Sequence, residues 1–148
     1  MTKLVGLRVF ALISFFAAYH LPSSVLGDWK VGKPYELGQP IGLDTKQEES
    51  VTRLVIKLTQ DRIRVCGKEV PIKSVEAEHL TNHDFLEKYN FTPNLIGLEG
   101  ADVIEVTINK FHSTEACGEF EDPGSHLFVT KNHVVVEVGN DYFPLTRR

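Results

Sequence analysis

From Arg53 onward most segments alternate apolar and polar residues with a period of two. In "RLVIKLT" (53–59), Leu54, Ile56 and Leu58 share one face, opposite Arg53, Lys57 and Thr59. The polar pair "QD" joins it to "RIRVC", where Ile63 and Val65 alternate with Arg62, Arg64 and Cys66. Two alternating runs about a tight polar pair predict a hairpin. "GK" is a further turn, and "EVPI" predicts a short strand whose Pro71 suits an edge or a bulge. After Gly97 and Gly100, Ile104, Val106 and Ile108 alternate with Glu105 and Thr107. The last third, "HLFVT-KN-HVVVEV-GND-YFPLTR", predicts three strands joined by two tight turns.

One segment breaks this period. In "LTNHDFLEKYN", Thr81 and Asp84 have capping-box spacing, and Phe85, Leu86 and Tyr89 then fall on one helical face. Pro93 stops any continuation, so the pattern predicts one short helix from about 82 to 90. "DWKVGKPYELGQPIGLD" predicts a short strand followed by irregular chain, and "KQEES" a solvated turn. The whole is mainly β: seven to eight short strands with one short α-helix, each strand with one apolar face. That pattern suits an antiparallel sheet with one buried side. So many strands in so short a chain close into a small antiparallel barrel or fold as a sandwich, because an open sheet would leave long edges.

The N-terminus changes the picture. Lys3 and Arg8 precede an apolar run at 9–19, and Val25 and Gly27 are small enough for the −3 and −1 cleavage positions. Residues 1–27 are therefore expected to be a signal peptide, and 28–148 a single β-rich domain. A membrane span needs about 20 apolar residues, and His20 and Pro22 interrupt this run too soon, so no stable membrane insertion is expected after cleavage. Removing Lys3 and Arg8 takes the formal charge from −4 to −6. A mildly acidic domain, with no basic patch evident along the sequence, argues against nucleic acid and anionic lipid as partners. Two cysteines remain, Cys66 and Cys117, and an even count in an oxidising compartment predicts a disulfide between them.

Gly27-Asp28-Trp29 opens the domain and "YFPLTRR" closes it. These two ends resemble small lipocalin-like (calycin) barrels, which place a Trp on the first strand and cover it with an Arg or Lys from near the end. The resemblance covers only the ends. It implies that Arg147 or Arg148 covers Trp29, in a barrel whose small interior holds an apolar ligand or is filled by side chains.

Chemistry is sparse. "HSTEACGEFEDPGSHLF" (112–128) gathers His112, Glu115, Cys117, Glu119, Glu121, Asp122 and His126, but at no regular metal-ligand spacing. Asp122-Pro123-Gly124 is instead a turn signal. The stretch is expected to be a disulfide-anchored acidic contact loop of Glu115, Glu119, Glu121 and Asp122, with no metal. His79 and His83 stand at i and i+4, yet Thr81 and Asn82 suit a cap, so His79 is expected to precede the helix. There is no G-x-S-x-G elbow and no glycine-rich phosphate loop. Ser113 and Ser125 adjoin His112 and His126 in sequence only, and neighbours on a strand face opposite ways. Asn90-Phe91-Thr92 is a formal glycosylation sequon with Pro93 directly after it.

The expectation is thus an exported, secreted or periplasmic binding protein without catalysis or cofactor, holding a small apolar ligand or a partner protein. An inhibitor or immunity-type protein acting through a surface loop is the alternative, and a small hydrolase or metalloenzyme the third. A continuous apolar interior favours a ligand; a packed one favours a surface role.

Overall fold

A computed structural model gives the fold, and it describes residues 20–38, 42–100, 102–111 and 123–148. Eight strands close an antiparallel barrel in simple chain order: β1 (Gly27–Val31), β2 (Val55–Leu58), β3 (Arg62–Val65), β4 (Lys68–Leu80), β5 (Val103–Lys110), β6 (His126–Val129), β7 (Val134–Val138) and β8 (Asp141–Arg147). Each strand pairs with the next, and β8 returns to β1 with Trp29 opposite Arg147. Closure leaves no free edge.

Because successive strands alternate in direction, chain entry, the β2–β3, β4–β5 and β6–β7 connections and the C-terminus share one end. The other end carries the remaining connections. The period-two pattern decides which side chains point inward. Ile56 and Leu58, Ile63 and Val65, Val106 and Ile108, Leu127 and Val129, and Phe143 and Leu145 enter a common core. Every side chain of that core is at most 6 % exposed. Burying a side chain of this kind stabilises by roughly 1.5–3 kcal/mol.

Both ends are closed as well. At the entry end a 3-10 turn, Ser23–Val25, sends Leu21 and Val25 into the core. Gln60 of the β2–β3 turn holds Leu21 there, donating to its carbonyl at 3.0 Å and accepting from its N–H at 3.1 Å. At the far end Val51 joins the core, and the buried Pro123–Gly124 turn lies over Ile56 and Ile63. Gly124 has φ +93°, and a Cβ there would stand 2.9 Å from Ile63 Cδ1. Only glycine fits so close an approach at that angle.

β1 starts at Gly27, and Leu21 and Val25 just before it are buried in the same packed unit. Two expectations need correction. "KQEES" is not a turn but most of α1 (Thr45–Val51). Its signal is a capping box: Asp44 accepts from Gln47 N–H at 2.8 Å, and Gln47 accepts from Asp44 N–H at 2.9 Å. With Val51 its one buried residue, α1 shows no apolar periodicity to read. The short strand at Pro71 is part of a thirteen-residue β4, with a bulge between Ile72 and Ser74.

The expected helix is α2 (Asn82–Tyr89), opened by the Thr81–Asp84 capping box and ended by Asn90 in the left-handed region. It packs on the outer wall of the barrel. There Phe85 and Phe91, with the 3-10 turn Pro93–Ile96, cover Phe128, Val135 and Tyr142 in a second apolar layer. Phe85 meets Phe128 edge-on at 5.6 Å between ring centroids, an arrangement aromatic pairs favour. Among the described residues no helix is long and apolar enough to cross a membrane.

Candidate functional site

Under α2 the outer wall carries a charged network. Glu105 faces outward on β5, as do His126 on β6 and Glu137 on β7, each one residue out of phase with the core positions. Glu105 is 6 % exposed, the one charged residue among the described ones buried to that degree. Lys88 donates to its Oε2 at 2.6 Å, and Tyr89 donates to its Oε1. His126 Nε2 meets Oε1 at 2.7 Å, while His126 Nδ1 meets Glu137 Oε2. Lys88 also reaches Glu78 at 3.3 Å.

The electrostatics follow from these contacts. Burial pushes the Glu105 carboxyl up, but hydrogen bonds from Lys88, Tyr89 and His126 outweigh it and hold the group below the ordinary glutamate value. Burial likewise pushes the His126 imidazole down, and bonds to Glu137 and Glu105 outweigh that and raise it. His126 therefore holds its proton more tightly than a free imidazole, between two carboxylates. Tyr89 and Tyr142 are both raised, chiefly by burial and then by the nearby carboxylates, so they stay neutral phenols. Each group of the network is engaged with another, and together they fasten α2 to the barrel. Among the described residues no cluster of three or more His, Cys, Asp or Glu has the form of a metal site.

A second feature lies on the opposite wall. Lys57 on β2 stands directly across from Arg64 on β3, with Asp28 on β1 and Glu69 on β4 at either end of the row. Beside them lie Arg53, which precedes β2, and Arg148, whose N–H donates to the Asp28 carbonyl at 3.1 Å. Together these residues line an open groove of about 500 Å³, with Leu54, Val55, Val65, Cys66 and Gly67 as its floor and rim. The expectation of no basic patch is corrected here. The four cations come from the β2–β3 hairpin with the residue leading into it and from the C-terminus, and strand register brings them together.

The sequence-derived candidates fare unevenly. Glu115, Cys117, Glu119, Glu121 and Asp122, with His112 and Ser113, lie outside the described residues. Cys66 sits in the β3–β4 turn with φ 54°. His79 lies on β4, and His83 on α2 pairs with Glu87 at 3.2 Å. His126, weighed for the sequence only as a metal ligand or a triad member, turns out to be the centre of the buried network. Glu105, Tyr89, Lys88 and Glu137 carried no local motif. The one signal was a glutamate flanked by apolar residues in "VIEVTIN", which reads equally well as an exposed strand face. No protein-family model, curated protein or solved structure matches the chain.

Proposed function

We propose that this chain is an exported, non-catalytic binding protein on a lipocalin-like barrel, acting through its outer wall. The observation that carries this is the filled interior. Among the described residues, core side chains at most 6 % exposed, with buried residues at both ends, favour a surface role over an interior apolar ligand. A ligand site for small molecules occupies roughly 300–1,000 Å³. The lipocalin-like part of the reading is supported by Arg147, which lies over Trp29 at 4.3 Å beside a 3-10 turn that leads into β1. The absence of catalysis is supported by the mutual saturation of Glu105, His126, Glu137 and Lys88. Export, to the periplasm or outside the cell, is supported by the apolar run at 9–19 behind Lys3 and Arg8.

The test is titration with a neutral apolar fluorophore such as N-phenylnaphthylamine. The native chain should give no saturable enhancement. Phe143→Ala, which opens a void in the core, should give one. Saturable enhancement with the native chain would return the interior to use and overturn the surface reading.

A further inference from the structure

We propose that the groove between Asp28, Lys57, Arg64 and Arg148 binds a tetrahedral oxyanion, the phosphate or sulfate ester group of a small soluble molecule. This deepens the surface-binding reading and rests on it.

Like charges directly opposite across two strands destabilise a sheet, and Lys57 and Arg64 are such a pair. The neighbouring acids relieve them only in part. Glu69 lies across from Arg64 but pairs with Arg62 at 3.6 Å, and Asp28 pairs with Lys57 at 4.0 Å, which leaves Arg64 without a carboxylate partner among the described residues. Among the described residues no carboxylate pairs with Arg53, Arg64 or Arg148. Among the described residues, three guanidinium groups and one ammonium thus line one groove in which Asp28 is the one side-chain carboxylate, in a protein of net negative charge.

Guanidinium forks match the paired oxygens of phosphate and sulfate and bind them in bidentate fashion. A dianion would offset most of the local excess of positive charge. The concave shape favours a soluble ester over a bilayer surface. Among the described residues the exposed large hydrophobic ones are Leu86, Leu95 and Phe111, and none of them lines the groove to enter a membrane.

The experiment is an NMR titration of the full folded chain with inorganic phosphate, inorganic sulfate and glycerol phosphate, against chloride at matched low ionic strength. Resonances of residues 53–57, 64–67 and 148 should shift saturably with the oxyanions and not with chloride. The effect should fade toward 1 M salt, where the Debye length falls to about 3 Å. Arg64→Gln and Arg148→Gln should each weaken binding about tenfold. Arg64→Lys should fall between, since it keeps the charge and loses the fork. Lys131→Gln, on the β6–β7 turn, should change nothing. Arg64→Gln should melt at or above the native temperature, because it removes a like-charge contact, so a loss of binding cannot be laid to unfolding. Equal binding by native and Arg64→Gln chains, or none by the native chain, would overturn the groove and leave the filled-barrel reading standing. Tighter binding to phosphatidylcholine vesicles containing phosphatidic acid than to glycerol phosphate would overturn the soluble ligand. Uptake of the neutral fluorophore by the native interior would instead strike the parent reading, whatever the groove does.

Discussion

The guanidinium of Arg147 lies 4.3 Å from the centre of the Trp29 ring and also donates to the carbonyls of Leu26 and Ser24. Trp29 in turn donates from Nε1 to the Val25 carbonyl at 2.7 Å. Register places the two residues opposite each other on β8 and β1, where the barrel closes. One cation therefore joins the last strand, the first strand and the segment that plugs the entry end. Arg147→Ala should cost about 1–2 kcal/mol, from the cation–π contact and the lost hydrogen bonds. Arg147→Lys should recover only part of this, because an ammonium cannot stack flat and donate to two carbonyls at once. Urea denaturation of both variants measures it. An unchanged midpoint for Arg147→Ala would remove the clasp.

The same clasp bears on processing. By side-chain size alone, Val25 and Gly27 set cleavage before Asp28. In the folded chain that cut would take away Leu21 and Val25, which are 2 % and 0 % exposed, and the acceptor for Trp29 Nε1. Losing two such side chains should destabilise by about 4 kcal/mol. A chain begun at Asp28 should therefore unfold at much lower urea than one begun at His20. N-terminal sequencing of exported protein should find a start upstream of Leu21. A cooperative, equally stable chain starting at Asp28 would refute this assignment.

Period-two alternation made the barrel legible, because inward and outward positions must alternate along every half-buried strand. The chain ends pointed to Arg147 or Arg148 over Trp29, and Arg147 makes the contact. α1 was not, because its capping box lacks an apolar stripe behind it. The continuation of β4 through "KSVEAEHL" was hidden by exposed glutamates on the outer face, with Val75 and Leu80 its two buried positions there. The two polar features were invisible for a different reason. Glu105, His126 and Glu137 meet across three strands, and Lys57 and Arg64 on two others meet Arg148, which follows β8. Such meetings depend on register, which no single segment records.

Cys66 and Cys117 are expected to form a disulfide, on the count of cysteines in an exported chain. Closing a loop on the order of 50 residues would stabilise by roughly 4 kcal/mol on the chain-entropy account. Non-reducing peptide mapping should recover the two cysteines in one linked fragment, and reduction should lower the melting temperature. Two thiols open to alkylation in freshly purified native protein would contradict the pairing.

The last prediction concerns pH. His126 has its imidazole raised above the ordinary 6.5, so the folded state holds that proton more tightly than the unfolded chain. Its contribution is complete below about pH 6.5 and lost as pH rises through the raised value. Glu105 is held below the ordinary 4.5, so its contribution is present above that value and lost as pH falls through the lowered one. Stability should therefore be greatest in mildly acidic solution and decline on both sides, with separate causes. Removing one member of a buried charge pair costs about 3–5 kcal/mol, so His126→Gln should lower stability near pH 6 by about that amount. It should also flatten the decline on the alkaline side. Glu105→Gln should flatten the acid side, because the amide still accepts from Tyr89 and no longer takes up a proton. Urea midpoints from pH 3 to 9 for the three chains separate the two groups. If the His126→Gln curve runs parallel to the native one above pH 6, the imidazolium does not hold α2 to the barrel.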